Sequence, residues 1–141
     1  MSETMNLHQV PEAMTLHRSS LWAGRIMSAI VVVALAADGA AQLFVPGQVA
    51  SMLQETGFAM DLTRTVGPII LVCAILYAIP ATSVLGAVLV TGFLGGAICA
   101  HVRIGELGSQ PEIISLLLGV MAWGGLYARD PRIRAILPLT R

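Results

Sequence analysis

From Thr65 to Ala100 the chain runs 36 residues without a charged side chain. A membrane-spanning helix needs about 20 mainly apolar residues, because the hydrocarbon core is roughly 30 Å thick. The run is therefore too long for one crossing and too apolar for a loop in water. Pro80 interrupts it, in Ile79-Pro80-Ala81-Thr82. Proline lacks an amide hydrogen and clashes with the turn before it, so a helix tends to stop there. The run reads as two membrane helices joined by a tight turn.

Two more apolar segments flank it. Leu21 to Val45 carries only Arg25 and Asp38 as charges, and Ile113 to Ala128 carries none. Helices are expected near 21–45, 62–79, 82–101 and 111–128. Asp61 is placed to cap the second, since a side-chain oxygen there can accept a free backbone amide. Pro111 suits the first turn of the fourth, where its missing amide costs nothing. The fold class expected is all-α: a polytopic membrane protein built as an antiparallel four-helix transmembrane bundle. A helix satisfies its own backbone in lipid, and the alternating segments of a barrel are not seen.

The expected organisation is a polar N-terminal arm over 1–20 with His8 and His17, a membrane domain over 21–138, and a tail over 139–141. Between the first two spans, Val49, Met52 and Leu53 with Gln54 and Glu55 suggest a short amphipathic helix closed by Gly57. Arg18, the apolar stretch after it and Ala34-Leu35-Ala36 also resemble a cleaved leader. Losing the first helix would leave an odd number of spans, so it is read as retained.

Charged residues make up 11% of the chain, against a usual fraction of roughly 25%. Too few charges are present to make a water-soluble surface. All eight basic residues are arginine and the formal net charge is zero, which points away from nucleic acid. Arg18, Arg25, Arg129, Arg132, Arg134 and Arg141 lie before or at the start of the first span or after the fourth; Arg64 and Arg103 flank the opposite side. Six against two predicts cytoplasmic termini in a multi-pass protein of a bacterial inner membrane. Trp22, Tyr77, Trp123 and Tyr127 are expected at one interface as an aromatic belt.

Asp38 is the sharpest candidate for chemistry. A carboxylate within a membrane helix is expensive, and is usually paired, neutralised or turned to a wet cavity. Gln42 lies one turn above it on the same face. The third span ends with Cys99, His101 and Arg103, which makes Asp38, Gln42, His101 and Arg103 a candidate ligand or proton site. Gly92, Gly95 and Gly96 are expected to pack against the first helix, since Gly92-x-x-x-Gly96 is a small-xxx-small spacing. Cys73 and Cys99 differ in depth and read as separate thiols rather than a disulfide. No metal pattern, phosphate loop, dinucleotide fingerprint or nucleophile elbow occurs, so no catalytic residue and no metal site is assigned.

Several stretches together carry a family likeness. They are Leu71-Val72-Cys73-Ala74-Ile75-Leu76-Tyr77-Ala78-Ile79-Pro80, Thr82-Ser83-Val84-Leu85-Gly86-Ala87, Thr91-Gly92-Phe93-Leu94-Gly95-Gly96-Ala97, His101-Val102-Arg103-Ile104-Gly105 and Trp123-Gly124-Gly125-Leu126-Tyr127 before Arg129-Asp130-Pro131-Arg132, with Asp38-Gly39 in the first helix. Over about residues 22–138 the chain resembles the DoxX-like family of small bacterial membrane proteins. The resemblance implies a four-helix bundle in the inner membrane. It also implies accessory roles near quinones or thiols, since relatives by name include a subunit of a thiosulfate:quinone oxidoreductase. Two positions depart from the family pattern: Gln42 stands where a lysine is associated with it, and Ala81 where an arginine is.

Three functions follow as expectations, in this order. The first is a non-catalytic accessory or interaction subunit, as a homo-oligomer or within a larger membrane complex, with the lipid bilayer as its surroundings. The second is a quinone- or thiol-linked redox component, with quinone as the cofactor. The third is a small proton-coupled transporter working through Asp38.

Overall fold

A computed structural model of the protein describes residues 10–55, 57 and 62–136. Among them every regular element is helical: α1 (Val10–Phe44), α2 (Pro46–Glu55), α3 (Thr63–Ala78), α4 (Ser83–Arg103), α5 (Gln110–Arg129) and α6 (Pro131–Ile136). Three segments are long and apolar enough to cross a bilayer, Arg18–Phe44, Ser83–Arg103 and Gln110–Arg129. The helix expected over 62–79 is shorter, with an apolar part of Arg64–Ala78. It stops because Ile79 takes an extended conformation ahead of Pro80, with φ −78° and ψ 122°, the region a residue before proline is driven to.

Among the described residues the first helix already runs from Val10, within the segment expected to be a polar arm. The short helix expected after the first span is present as α2, and Gly57 closes it with φ +75° and its N–H on the Gln54 carbonyl at 2.9 Å. Asp61 lies outside the described residues. At the start of α3 the cap position is Leu62, which makes no side-chain bond. Pro111 sits in the first turn of α5. One element was not expected: α6 starts at Asp130-Pro131, where the Asp130 carboxylate accepts the Arg132 N–H at 2.9 Å and proline occupies the first helical position.

α1 packs on α3 and α5, and α4 packs on the same two from the other side; α1 and α4 make no close approach. Each helix turns one stripe inward at three- and four-residue spacing. On α1 the stripe is Gly24, Ser28, Val31, Leu35, Gly39 and Gln42, and on α4 it is Ser83, Gly86, Ala87, Val90 and Leu94. The outer faces keep large apolar side chains exposed, among them Val33, Val72, Leu85, Leu116 and Val120.

Small residues let the backbones meet. A Cβ on Gly24 would stand 2.8 Å from the Gly125 carbonyl oxygen, and one on Gly125 2.7 Å from Ser28 Oγ. At the other end of α1 the partners are Gly39 and Gly67, where a Cβ on Gly67 would come within 3.2 Å of the Gly39 carbonyl. A Cβ on Gly86 would run into the backbone of Tyr77.

Tyr77 is fully buried, not part of an interfacial belt as the sequence suggested. Its hydroxyl donates to the Ala122 carbonyl at 2.8 Å and lies 3.1 Å from Ser28 Oγ, joining α3 to α5 and α1. The ring points along the inward stripe of α3, with Ile70, Cys73 and Ala74. The turn after it is held by Thr82 Oγ1, which donates to the Leu76 carbonyl at 2.8 Å, and by Ser83 Oγ, which donates to the Pro80 carbonyl at 3.1 Å.

Candidate functional site

Asp38 and Gln42 come together as their spacing requires. Gln42 Nε2 donates to Asp38 Oδ1 at 3.4 Å, one turn apart on α1. The two side chains differ in setting. Gln42 belongs to the inward stripe and is 5% exposed. Asp38 is exposed on the flank of the same helix, next to Gly39 at the α1–α3 crossing. The amide oxygen of Gln42 is buried and makes no hydrogen bond among the described residues. A carboxylate on the flank of a membrane helix, with an amide as its partner, can exchange a proton or meet a polar group from outside the chain.

His101 and Arg103 do not join this pair. His101 Nδ1 lies 3.0 Å from Glu106 Oε2, so the imidazole is turned into the α4–α5 connection. Arg103 ends α4 beside the α2–α3 connection, where a Cβ on Gly57 would stand 3.2 Å from its Nη2. The reason is the arrangement of helices: α1 and α4 stand across the bundle from one another. The four-residue site expected from depth alone is thus divided into two places.

The same arrangement corrects the glycines. Gly92, Gly95 and Gly96 do not pack against α1; a Cβ on any of them would meet nothing within 4 Å. The inward stripe of α4 runs through Val90 and Leu94. At about 100° per residue Gly92 falls half a turn away from it, so the glycine strip faces outward with Cys99. Cys99 is exposed and Cys73 is buried, and both are free thiols. Cys73 serves as a small apolar residue of the core.

Sequence reasoning also passed over the connection that leads into α5. Ser109-Gln110-Pro111-Glu112 has the spacing of a capping box, and the Glu112 carboxylate reaches back to accept the Gly108 N–H at 2.7 Å. Gly105 and Gly108, at φ +83° and +79°, turn the chain there in a conformation that costs other residues strain.

Among the described residues no group of three or more His, Cys, Asp or Glu side chains could hold a metal ion. No curated protein and no solved structure matches the chain. The family model described as the DoxX-like family matches residues 26–125, which takes in all of α3 and α4 and the greater part of α1 and α5. With three helices long and apolar enough to cross a bilayer, this is a membrane protein, and the chain belongs to the DoxX-like family.

Proposed function

We propose that the protein is a non-catalytic interaction subunit of a bacterial inner membrane, a four-span antiparallel bundle with cytoplasmic termini that associates side by side with a membrane helix of another chain. The orientation rests on the six arginines at the ends of the bundle that hold the termini. α3 serves as the fourth span. Its 16 residues cover about 24 Å at 1.5 Å per residue, and local thinning of the bilayer takes up the difference.

The observation that carries the reading is the outer face of α4. Gly92, Gly95 and Gly96 form a strip that no helix among the described residues covers. Lipid tails give two helices little hydrophobic reason to associate, so close backbone approach over small residues is a main source of lateral affinity. A leucine-rich face would suit lipid; this one suits a second helix, from another copy of the chain or from a larger complex.

A photoreactive residue at position 95 tests this in intact membranes. We expect it to form a discrete adduct with a protein chain, while the same residue at Leu117, on the exposed face of α5, marks lipid. Equal protein adducts at both positions, or none at 95, would remove the support. A second reading, proton exchange through Asp38, is favoured by the exposed carboxylate and its bond to Gln42. It predicts that Asp38→Asn abolishes activity in membranes while leaving the complex at position 95 intact.

A further inference from the structure

We infer that a recess at the end of the bundle where α3 turns into α4 binds a phosphate group. The recess holds about 660 Å³ and is lined by Arg25 of α1, Pro80 of the turn, Ser83 at the start of α4, and Arg129, Asp130 and Arg132 around the α5–α6 junction. Three guanidinium groups and one carboxylate leave the lining with two positive charges in excess (three minus one). The carboxylate is partly spoken for, since Asp130 Oδ1 accepts the Arg132 backbone N–H at 2.9 Å. Among the described residues no carboxylate side chain stands within salt-bridge distance of Arg25, Arg129 or Arg132, and the His101–Glu106 contact lies at a different connection.

Gathering cations without a counter-ion is unfavourable, and at the edge of an apolar bundle screening is weaker than in open water. An anion that bridges them removes that cost. Guanidinium suits phosphate because its planar fork donates paired hydrogen bonds to two oxygens.

The fold also sets one of the three in place. Arg129 Nη2 donates to the Tyr77 carbonyl at 3.1 Å, and its guanidinium stands 5.2 Å from the centre of the Tyr77 ring. Its Nε is buried without a hydrogen-bond partner among the described residues. Arg25 and Arg132 are exposed and line the same recess as the anchored group.

Two sources could supply the phosphate. Trp22 is exposed on α1, with the Arg25 guanidinium 5.8 Å from its ring centre, an aromatic–cation pairing suited to the headgroup level. An anionic phospholipid would present its phosphate at that level. A free phosphate or soluble phosphate ester would enter from the aqueous side.

The test uses the full chain in an uncharged detergent, with the thermal midpoint as readout. The probes are phosphatidylglycerol and, separately, inorganic phosphate. The proteins are wild type, Arg25→Gln, Arg132→Gln, the double variant, and Arg64→Gln as an equal loss of charge at the start of α3. Arg129 is left in place because it holds Tyr77. We expect a saturating probe to raise the wild-type midpoint by several degrees, since a ligand that binds the folded state stabilises it. The double variant should keep less than half of that shift, each single variant should lose part of it, and Arg64→Gln should keep it. A shift with both probes assigns recognition to the phosphate itself. A shift with phosphatidylglycerol alone assigns the source to lipid, and with phosphate alone to a soluble ligand. No shift with either probe, or equal shifts in wild type and the double variant, or an equal loss in Arg64→Gln, would overturn the assignment.

Discussion

Gly125 and Gly96 are the same residue in two helices of similar composition, and they do opposite things. A Cβ on Gly125 would come 2.7 Å from Ser28 Oγ and 3.0 Å from the Gly24 carbonyl, whereas one on Gly96 meets nothing within 4 Å. Gly125→Ala should therefore overpack the α1–α5 crossing at a cost of about 1–3 kcal/mol. Gly96→Ala should be neutral or gain up to about 1 kcal/mol, because alanine is the better helix former. Thermal unfolding of the dispersed monomer separates them, and a loss at Gly96 as large as that at Gly125 would be the wrong sign. The sequence did not distinguish the two. In a soluble helix the polar face marks the outside, but here both faces are apolar, so hydrophobic periodicity loses its direction. Asp38 suffers the same ambiguity: its level in the helix was legible, while its place on the flank was not.

The helices themselves were legible where composition changes sharply. α3, α4 and α5 begin and end within about two residues of the expected bounds, because proline and charge delimit them. The start of α1 was hidden, since a polar helix leading into a span has no apolar signal. α6 carried a signal, Asp130-Pro131, that went unread. What joins the elements is less visible than where they end. Tyr77 ties α3 to α5 and α1 through one hydroxyl, with bonds of 2.8 and 3.1 Å. Tyr77→Phe leaves the ring and removes both bonds, which should cost roughly 1–2 kcal/mol because Ser28 is buried. Measured against Ser28→Ala and the double variant, the two losses should be less than additive. Additive losses would mean that the hydroxyl pair does not act as a unit.

For the whole molecule, the arrangement decides which chemistry can meet. Placing α1 opposite α4 separates Asp38 and Gln42 from His101 and Arg103, and it sends the glycine strip outward. Expected depth says nothing of the side a residue takes, and the packing order puts these residues on different sides. The bundle thus spends its small residues in two ways: Gly24, Gly39, Gly67, Gly86 and Gly125 close it internally, and Gly92, Gly95 and Gly96 leave a flat outer strip. Lateral association along that strip can be read from the mass of the protein extracted in a mild detergent, for wild type and for Gly92→Leu/Gly96→Leu. Wild type should carry a second membrane chain, a copy or another protein, at a whole-number ratio. The double variant should run as a single chain with a monomer midpoint unchanged or raised, because both leucines enter open space and favour the helix. A wild-type protein that runs alone, or a variant that keeps its partner, would contradict the interaction-subunit reading.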